Sequence, residues 1–308
     1  MKIAIAGASC FIGKRLVLAA VDKAWEVVAI VREGSKEIPY LSSLSNVSVV
    51  QCNMDDYDKV GSLIGTVDCF VYLTWDGTRG EARNDYERQK HNYECGMAAV
   101  RSVLDAGCGR VITAGSQAEY GLNGVVITED MECRPNTQYG IWKLKFFEDA
   151  MEMCRIAGVH LKEPRFFSLY GPDDYDKTLI ISMIDNMLHN RRCEMTECVQ
   201  MWDYLYIDDA IAAVILLCEQ DCADGAYNFG SGDTRSLKDY MEELKDILES
   251  SSELAYGAVP YPPTGIVSIQ PNIDKLKQEI GWTPDTSFRN GVLKIIKSRF
   301  AVDDCERR

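Results

Sequence analysis

IAIAGASCFIG, residues 3–13, is an apolar run that stops at a glycine and passes directly into a helical pattern, FIGKRLVLAAVDKA. Gly7, Cys10 and Gly13 stand at the spacing of a G-x-x-G-x-x-G turn. The first glycine permits the tight turn and the third permits close packing of helix on strand. The free N–H groups at the helix start then face a pyrophosphate. The middle position is ordinarily glycine so that backbone can approach phosphate; Cys10 is small but brings a Cβ. A plain strand-turn-helix would satisfy the same residues. A long strand-helix series behind the turn favours the dinucleotide reading.

That series is EVVAIVRE, VSVVQCNM, VDCFVYLT, GRVITAGS and GVHLKEPRFFSLYGP, with helical segments between. Strands alternating with helices imply right-handed crossovers and a parallel sheet covered on both faces, and apolar strands fit that burial. The expected fold is α/β, a Rossmann-type doubly wound parallel sheet. Beyond residue 164 the pattern changes to a smaller C-terminal α/β substrate lobe over the carboxyl edge of the sheet, where such folds bind ligands. Residues 1–164, with 203–230 returning, form the NAD(P)-binding domain; 165–202 and 231–308 form the lobe. Asp208 and Asp209 are expected to cap the helix AIAAVILLCE.

The 308 residues are 46% hydrophobic and 26% charged, an ordinary globular balance, with a net charge of −14. An acidic surface repels phosphate backbones and anionic lipid, which argues against nucleic acid and membrane partners. Twelve cysteines without a CxxC pair read as reduced thiols, Cys305 among them, and point to a cytoplasmic protein. None of the three histidines has a histidine or cysteine partner at metal-ligand spacing, so no metal site is expected. MKIAIAGASC reads as a strand rather than a signal peptide.

Tyr139 and Lys143, in YGIWK, lie four residues apart on a helical segment and so share one face. An ammonium beside a phenol favours the phenolate and equips the tyrosine for proton transfer. The same spacing also suits a solvated helix face. Arg32, after the second strand with Ser35 and Lys36 nearby, suits a 2′-phosphate and favours NADP(H); Glu33 leaves NAD(H) as the alternative.

Taken in order, GASCFIG, CNMDD, AGSQAEYG, YGIWK, RFFSLYGP, WDYLYIDDAIAA, YNFGSG and IGWTP resemble the extended short-chain dehydrogenase/reductases of the nucleotide-sugar epimerase/dehydratase group. The resemblance implies Ser116, Tyr139 and Lys143 as the catalytic set. It implies Gly7, Ser9, Cys10, Phe11, Ile12 and Gly13 as the cofactor loop. Asn53 and Met54 would lie at the adenine, Leu73 and Thr74 under the nicotinamide ribose, and Phe166, Phe167 and Ser168 beside the nicotinamide. Lys90 and Asn92 fall in a Q-x-x-N-like region.

Gln117 and Ala118 stand where related dehydratases carry acids, which disfavours dehydration, and Trp202 replaces an arginine that often grips the nucleotide diphosphate. The subgroup it most resembles is the CDP-abequose synthase-like reductases of 4-keto sugars. The implied substrate is a nucleotide-sugar held by Trp75, Glu119, Tyr170, Trp202, Tyr204 and Arg235, although the aromatics equally suit packing of the lobe. Arg79 and Arg83 suit either a solvated loop or a ligand. The helices at 86–107 and 140–158 carry enough apolar surface for a homodimer, or for packing within one chain.

Overall fold

The computed structural model describes residues 1–121, 124–262 and 265–300. From the amino terminus the chain runs β1 (Lys2–Ala6), α1 (Phe11–Asp22), β2 (Glu26–Val31), α2 (Ile38–Ser43), β3 (Val47–Gln51), α3 (Val60–Ile64) and β4 (Cys69–Tyr72). Then come α4 (Tyr86–Asp105), β5 (Arg110–Thr113), β6 (Gly115–Ser116), α5 (Gln138–Ala157), β7 (His160–Phe166) and β8 (Ser168–Tyr170). The second half holds α6 (Leu179–Leu188), β9 (Cys193–Glu194), β10 (Met201–Trp202), β11 (Tyr204–Tyr206), α7 (Ile207–Glu219) and β12 (Gly225–Phe229). It closes with β13 (Arg235–Ser236), α8 (Leu237–Ile247), β14 (Leu254–Ala255), α9 (Asp274–Ile280) and α10 (Phe288–Ile295).

An eight-stranded sheet runs β12-β7-β5-β4-β1-β2-β3, with β6 continuing β5 alongside β7. Every pairing in it is parallel. The strand period of two sorts side chains between two cores. Ile3, Ile5, Cys69 and Val71 face the core shared with α1, α7 and the lobe; Ala4, Ala6, Phe70 and Tyr72 face the core under α3, α4 and α5.

Two strands depart from the apolar expectation. β3 is an edge strand and half-exposed. β7 buries Lys162, Glu163 and Arg165 completely or nearly so. Pro164 sits where the ladder passes from the Ile112–Lys162 pair to the Gly115–Arg165 pair, an interruption a residue without an N–H tolerates.

The first turn explains how a cysteine can replace its central glycine. Gly7 has φ +86°, and a Cβ there would press on Leu73 and Thr74. Cys10 keeps an ordinary φ of −80° and caps α1, its Sγ accepting the Gly13 N–H at 3.2 Å. A Cβ on Gly13 would stand 2.2 Å from the Gly7 carbonyl oxygen, so glycine alone lets α1 lie this close to β1.

Outside the main sheet lie three two-stranded sheets, β10-β13, β14-β9 and β8-β11, with α6, α8 and α10; β11, expected with the NAD(P)-binding domain at 203–230, pairs with β8 instead of the main sheet. Buried Asp203 ties the lobe to the main sheet by accepting the Ser231 and Gly232 N–H groups, at 2.6 and 2.8 Å, just after β12. Asp208 and Asp209 do not cap α7, whose N-cap is Tyr206. Instead Asp209 accepts the Thr286 N–H at 2.8 Å and anchors the tail, and Asp208 pairs with Arg15. Cys305 lies outside the described residues.

Gly13→Ala is expected to cost about 1–3 kcal/mol through overpacking against backbone. Gly124→Ala, where nothing lies within 4 Å, should stay within about 0.5 kcal/mol of the parent. Urea unfolding of both variants checks the contrast.

Candidate active site

Ser116 ends β6 and is the N-cap of a short 3₁₀ turn, Gln117–Glu119. Its Oγ accepts the Ala118 N–H, and Glu119 Oε1 accepts the Ser116 N–H at 2.7 Å, a reciprocal capping box. Glu119 is fully buried, and its other oxygen lies 2.7 Å from Arg165 Nε, which also pairs with Glu163 at 3.0 Å. Two carboxylates thus share one guanidinium beneath the serine. Gly115 makes room for them, since a Cβ there would meet Glu163 and Arg165 within 3 Å. Burial and the neighbouring Glu119 push the Glu163 carboxyl well up.

Tyr139 lies in the first turn of α5, which Thr137 caps by accepting the Gly140 N–H at 3.1 Å. Its ring is buried, and its hydroxyl is within hydrogen-bonding reach of Ser116. Burial pushes the phenol up, while Ser116 and the Arg83 charge pull it down. Lys143 Nζ donates to the Ala114 carbonyl at 2.6 Å and lies 4.0 Å over the Trp75 ring. Burial brings this amine down to about 8 against the opposing pull of Glu119 and Glu163.

Ser116, Tyr139 and Lys143 line one cleft of about 640 Å³, with Phe11, Ile12, Leu73, Trp75, Phe166, Phe167, Trp202 and Tyr204. A second groove of about 480 Å³ follows the carboxyl ends of β1, β2 and β4 and is lined by Gly7, Ser9, Cys10, Arg32, Met54 and Thr74. Leu73 and Trp75 border both, so the two cavities adjoin along the carboxyl edge of the sheet and together run from the glycine turn to the serine. That path fits a dinucleotide: a glycine at positive φ and a 12-residue helix at one end, hydroxyl and amine groups at the other.

Arg32 lines the groove, and among the described residues no carboxylate pairs with it. Glu33 instead donates its N–H to Asn53 Oδ1 at 3.1 Å. Asn53 thereby joins the ends of β2 and β3, and the neighbours on either side, Cys52 and Met54, face the groove.

Several expected substrate contacts need correction. Glu119 does not face the cleft, because Arg165 and the Ser116 N–H hold it underneath. Arg235 is drawn away by Glu243 and packs 4.1 Å over the Tyr240 ring. The Tyr170 ring borders the cleft, but its hydroxyl turns to the Phe288 carbonyl at 3.4 Å. Arg79 lies at the cleft beside Asp174 and Tyr175.

The buried polar pair on α4 is Gln89 and Asn92, with Lys90 outside and paired to Glu94. Gln89 accepts the Trp75 indole N–H at 2.7 Å, and Asn92 brackets the Asp76 backbone with two hydrogen bonds. The sequence signal for this pair is Q-x-x-N at positions 89–92, in which Lys90 takes no part. The fold also gathers Asp55, His91 and Cys95 beside the groove, ligand atoms within 4.8 Å, which corrects the expectation that no histidine has a cysteine partner at metal-ligand spacing, His91 and Cys95 standing four apart on α4. Asp55 and His91 are exposed and pair with each other at 2.8 Å.

Residues 3–230 match the NAD dependent epimerase/dehydratase family. The CDP-abequose synthase of Salmonella muenchen is 21% identical over 97% of this chain and 98% of its own. Among solved structures, a UDP-N-acetylglucosamine 4-epimerase from Methanobrevibacter ruminantium, in complex with UDP-N-acetylmuramic acid, superposes with a TM-score of 0.85. It is 20% identical and covers 96% of this chain and 98% of that one. A UDP-glucuronic acid 4-epimerase from Bacillus cereus, with UDP-glucuronic acid and NAD, gives 0.81 at 21% identity, covering 96% and 99%. At these identities the structural likenesses establish the fold.

A lysine whose folded pKa falls below its unfolded one destabilises the fold while protonated. The burden is full below about 8 and is relieved as pH rises towards the unfolded value. Lys143→Met is therefore expected to be more stable than the parent at pH 7, by about 2 kcal/mol after loss of the Ala114 hydrogen bond. The gain should shrink steadily on the alkaline side of 8. Denaturant unfolding across that pH range measures it.

Proposed function

Because the chain belongs to the NAD dependent epimerase/dehydratase family, we propose that it is an NADP(H)-dependent oxidoreductase that reduces a 4-keto-6-deoxyhexose carried on a nucleoside diphosphate. The observation that carries the reading is the pair of adjoining cavities that runs from the glycine turn to Ser116, Tyr139 and Lys143. A nicotinamide bound there supplies the hydride. Ser116 and Tyr139 hydroxyls hold the sugar carbonyl oxygen, and Tyr139 gives its proton to that oxygen as negative charge develops on it. Lys143, one turn along α5 from Tyr139, places its ammonium to hold the nicotinamide ribose.

The residues after the serine disfavour dehydration. Ala118 has no acid to offer, and the nearest carboxylate, Glu119, is spent on Arg165. Arg32 supports NADP(H), since its unpaired guanidinium lines the adenosine end of the path. Trp202 offers a face for stacking on the nucleotide or sugar, while Tyr204 borders the cleft from within its packing against Tyr170, Tyr240 and Phe288. The alternative is an NAD-dependent nucleotide-sugar 4-epimerase, which runs the same proton relay in both directions without net use of cofactor.

Two further elements complete the proposal. Tyr86, Ile141 and Ile156 expose apolar surface on α4 and α5, which supports a homodimer formed through these helices. Among the described residues no helix is long and apolar enough to cross a membrane. Eleven free cysteines among them suit a reducing compartment, which supports a cytoplasmic location.

Incubation with NADPH and a nucleoside-diphosphate 4-keto-6-deoxyhexose should consume the two in equal amounts. Tyr139→Phe should lower turnover by about 10²–10⁴-fold, the range for loss of a general acid. Epimer formation with no net NADPH loss would select the alternative, and full turnover by Tyr139→Phe would remove the tyrosine from the chemistry.

A further inference from the structure

The spacing of Tyr139 and Lys143 assigns the tuning of the tyrosine to the lysine, yet the lysine ammonium points to the Ala114 carbonyl and lies over Trp75. The cation lying over the Tyr139 ring is Arg83, its guanidinium carbon 4.7 Å from the ring centre. Arg83 belongs to a short 3₁₀ turn, Gly80–Asn84, between β4 and α4. The next residue, Asn84, accepts the Gln138 N–H at 3.4 Å, one position before the tyrosine. Two neighbours on the turn therefore meet two neighbours at the start of α5, which fixes the guanidinium over the ring. Arg83 Nη1 also reaches the Thr78 carbonyl at 3.5 Å. Among the described residues no carboxylate forms an ion pair with Arg83, although the protein carries a net charge of −14.

We propose that Arg83 is a positioning residue for the proton transfer at Tyr139: its guanidinium holds the phenol ring in place and stabilises the phenolate that the transfer leaves behind. The inference rests on the role given to Tyr139 above. A bound reduced nicotinamide would supply hydride to the carbonyl carbon, and the Tyr139 O–H bond breaks as its proton passes to the carbonyl oxygen. The residual negative charge spreads over the phenolate ring, and a cation on its face attracts that ring more strongly than the neutral phenol.

The other groups around Tyr139 make this contribution necessary. Ser116 on β6 helps through a hydrogen bond, and Lys143 lies one turn along the same helix. Glu119 on the 3₁₀ turn and Glu163 on β7 both oppose the phenolate, as does burial. Arg165, the partner of those two carboxylates, is committed to them. Arg83 is half-buried on a surface turn, so its replacement leaves the core intact.

The test titrates position 139 directly and needs no sugar substrate. Tyr139 is replaced by 3-nitrotyrosine through genetic-code expansion. The nitrophenolate absorbs in the visible, apart from the other tyrosines, and titrates where the protein stays folded. The pKa is read in the Arg83 parent, in Arg83→Met and in Arg83→Lys. Arg83→Met should raise it by ~0.5–1 unit, the size of a partly buried cation–π contact. Arg83→Lys, which keeps a charge, should recover part of the shift.

An unchanged pKa in folded Arg83→Met would overturn the proposal and leave Arg83 as packing alone. With a substrate in hand, the alkaline limb of the reduction pH profile should move up by the same amount in Arg83→Met, with KM unchanged. Failure of the oxidoreductase reading would show as absent turnover with the titration shift intact, so the two outcomes separate.

Discussion

Charge enclosed beneath Ser116 has to be neutralised where it stands. Removing a carboxylate or a guanidinium from water costs several kcal/mol, and the loss is offset only by partners in good geometry. Glu119 and Arg165 form a buried ion pair at 2.7 Å, and Glu163 accepts from the same Nε at 3.0 Å, while burial and the neighbouring Glu119 push the Glu163 carboxyl up towards its neutral form. Because Glu119 also takes the Ser116 N–H, the position of the serine is bound to the balance of the triplet. The same turn then seats the next element. A Cβ on Gly140 would stand 2.4 Å from the Ala118 carbonyl oxygen, so α5 begins pressed against the turn and delivers Tyr139 and Lys143 to the serine.

The rest of the molecule supplies the path that ends at this point. Strand alternation sends half of each central strand into one core and half into the other, leaving the carboxyl ends of β1, β2 and β4 open as a groove. Gly7 and Gly13 bring α1 down onto β1, and the lobe closes the far side through Asp203 and the aromatic cluster of Tyr170, Tyr204, Tyr240 and Phe288. Trp75 stands at the junction of the two cavities, held by Gln89 and lying against the Lys143 ammonium. An indole there can respond to whatever fills either side.

Local patterns made much of this legible beforehand. The glycine turn, the strand-helix alternation and the Tyr139–Lys143 pair depend on short-range spacing, which a sequence displays openly, while Ser116 is reached only through the family resemblance. Contacts between distant segments are harder to read. Glu119 resembles a cleft residue because its partner, Arg165, lies far along the chain on a strand expected to be apolar. Arg235 resembles a ligand although Tyr240 and Glu243, in the helix that follows it directly, capture it, because the side chain folds back over that helix. Asp209 has the place of a cap, but Thr286 claims both its oxygens. Arg83, equally suited to solvent or ligand by its sequence, lies over the Tyr139 ring, a relation between two turns that no local pattern encodes.

Hydride and proton transfer in this cleft to a nucleotide-linked sugar carbonyl is tested most directly by isotope tracing. The enzyme is supplied with NADPH carrying deuterium at the transferable position, and the sugar product is examined by mass spectrometry and NMR. The expected result is one deuterium on the former carbonyl carbon, matched by one oxidised cofactor for each sugar. Recovery of the sugar without label, whether unchanged or epimerised, with the cofactor still carrying its deuterium, would contradict it.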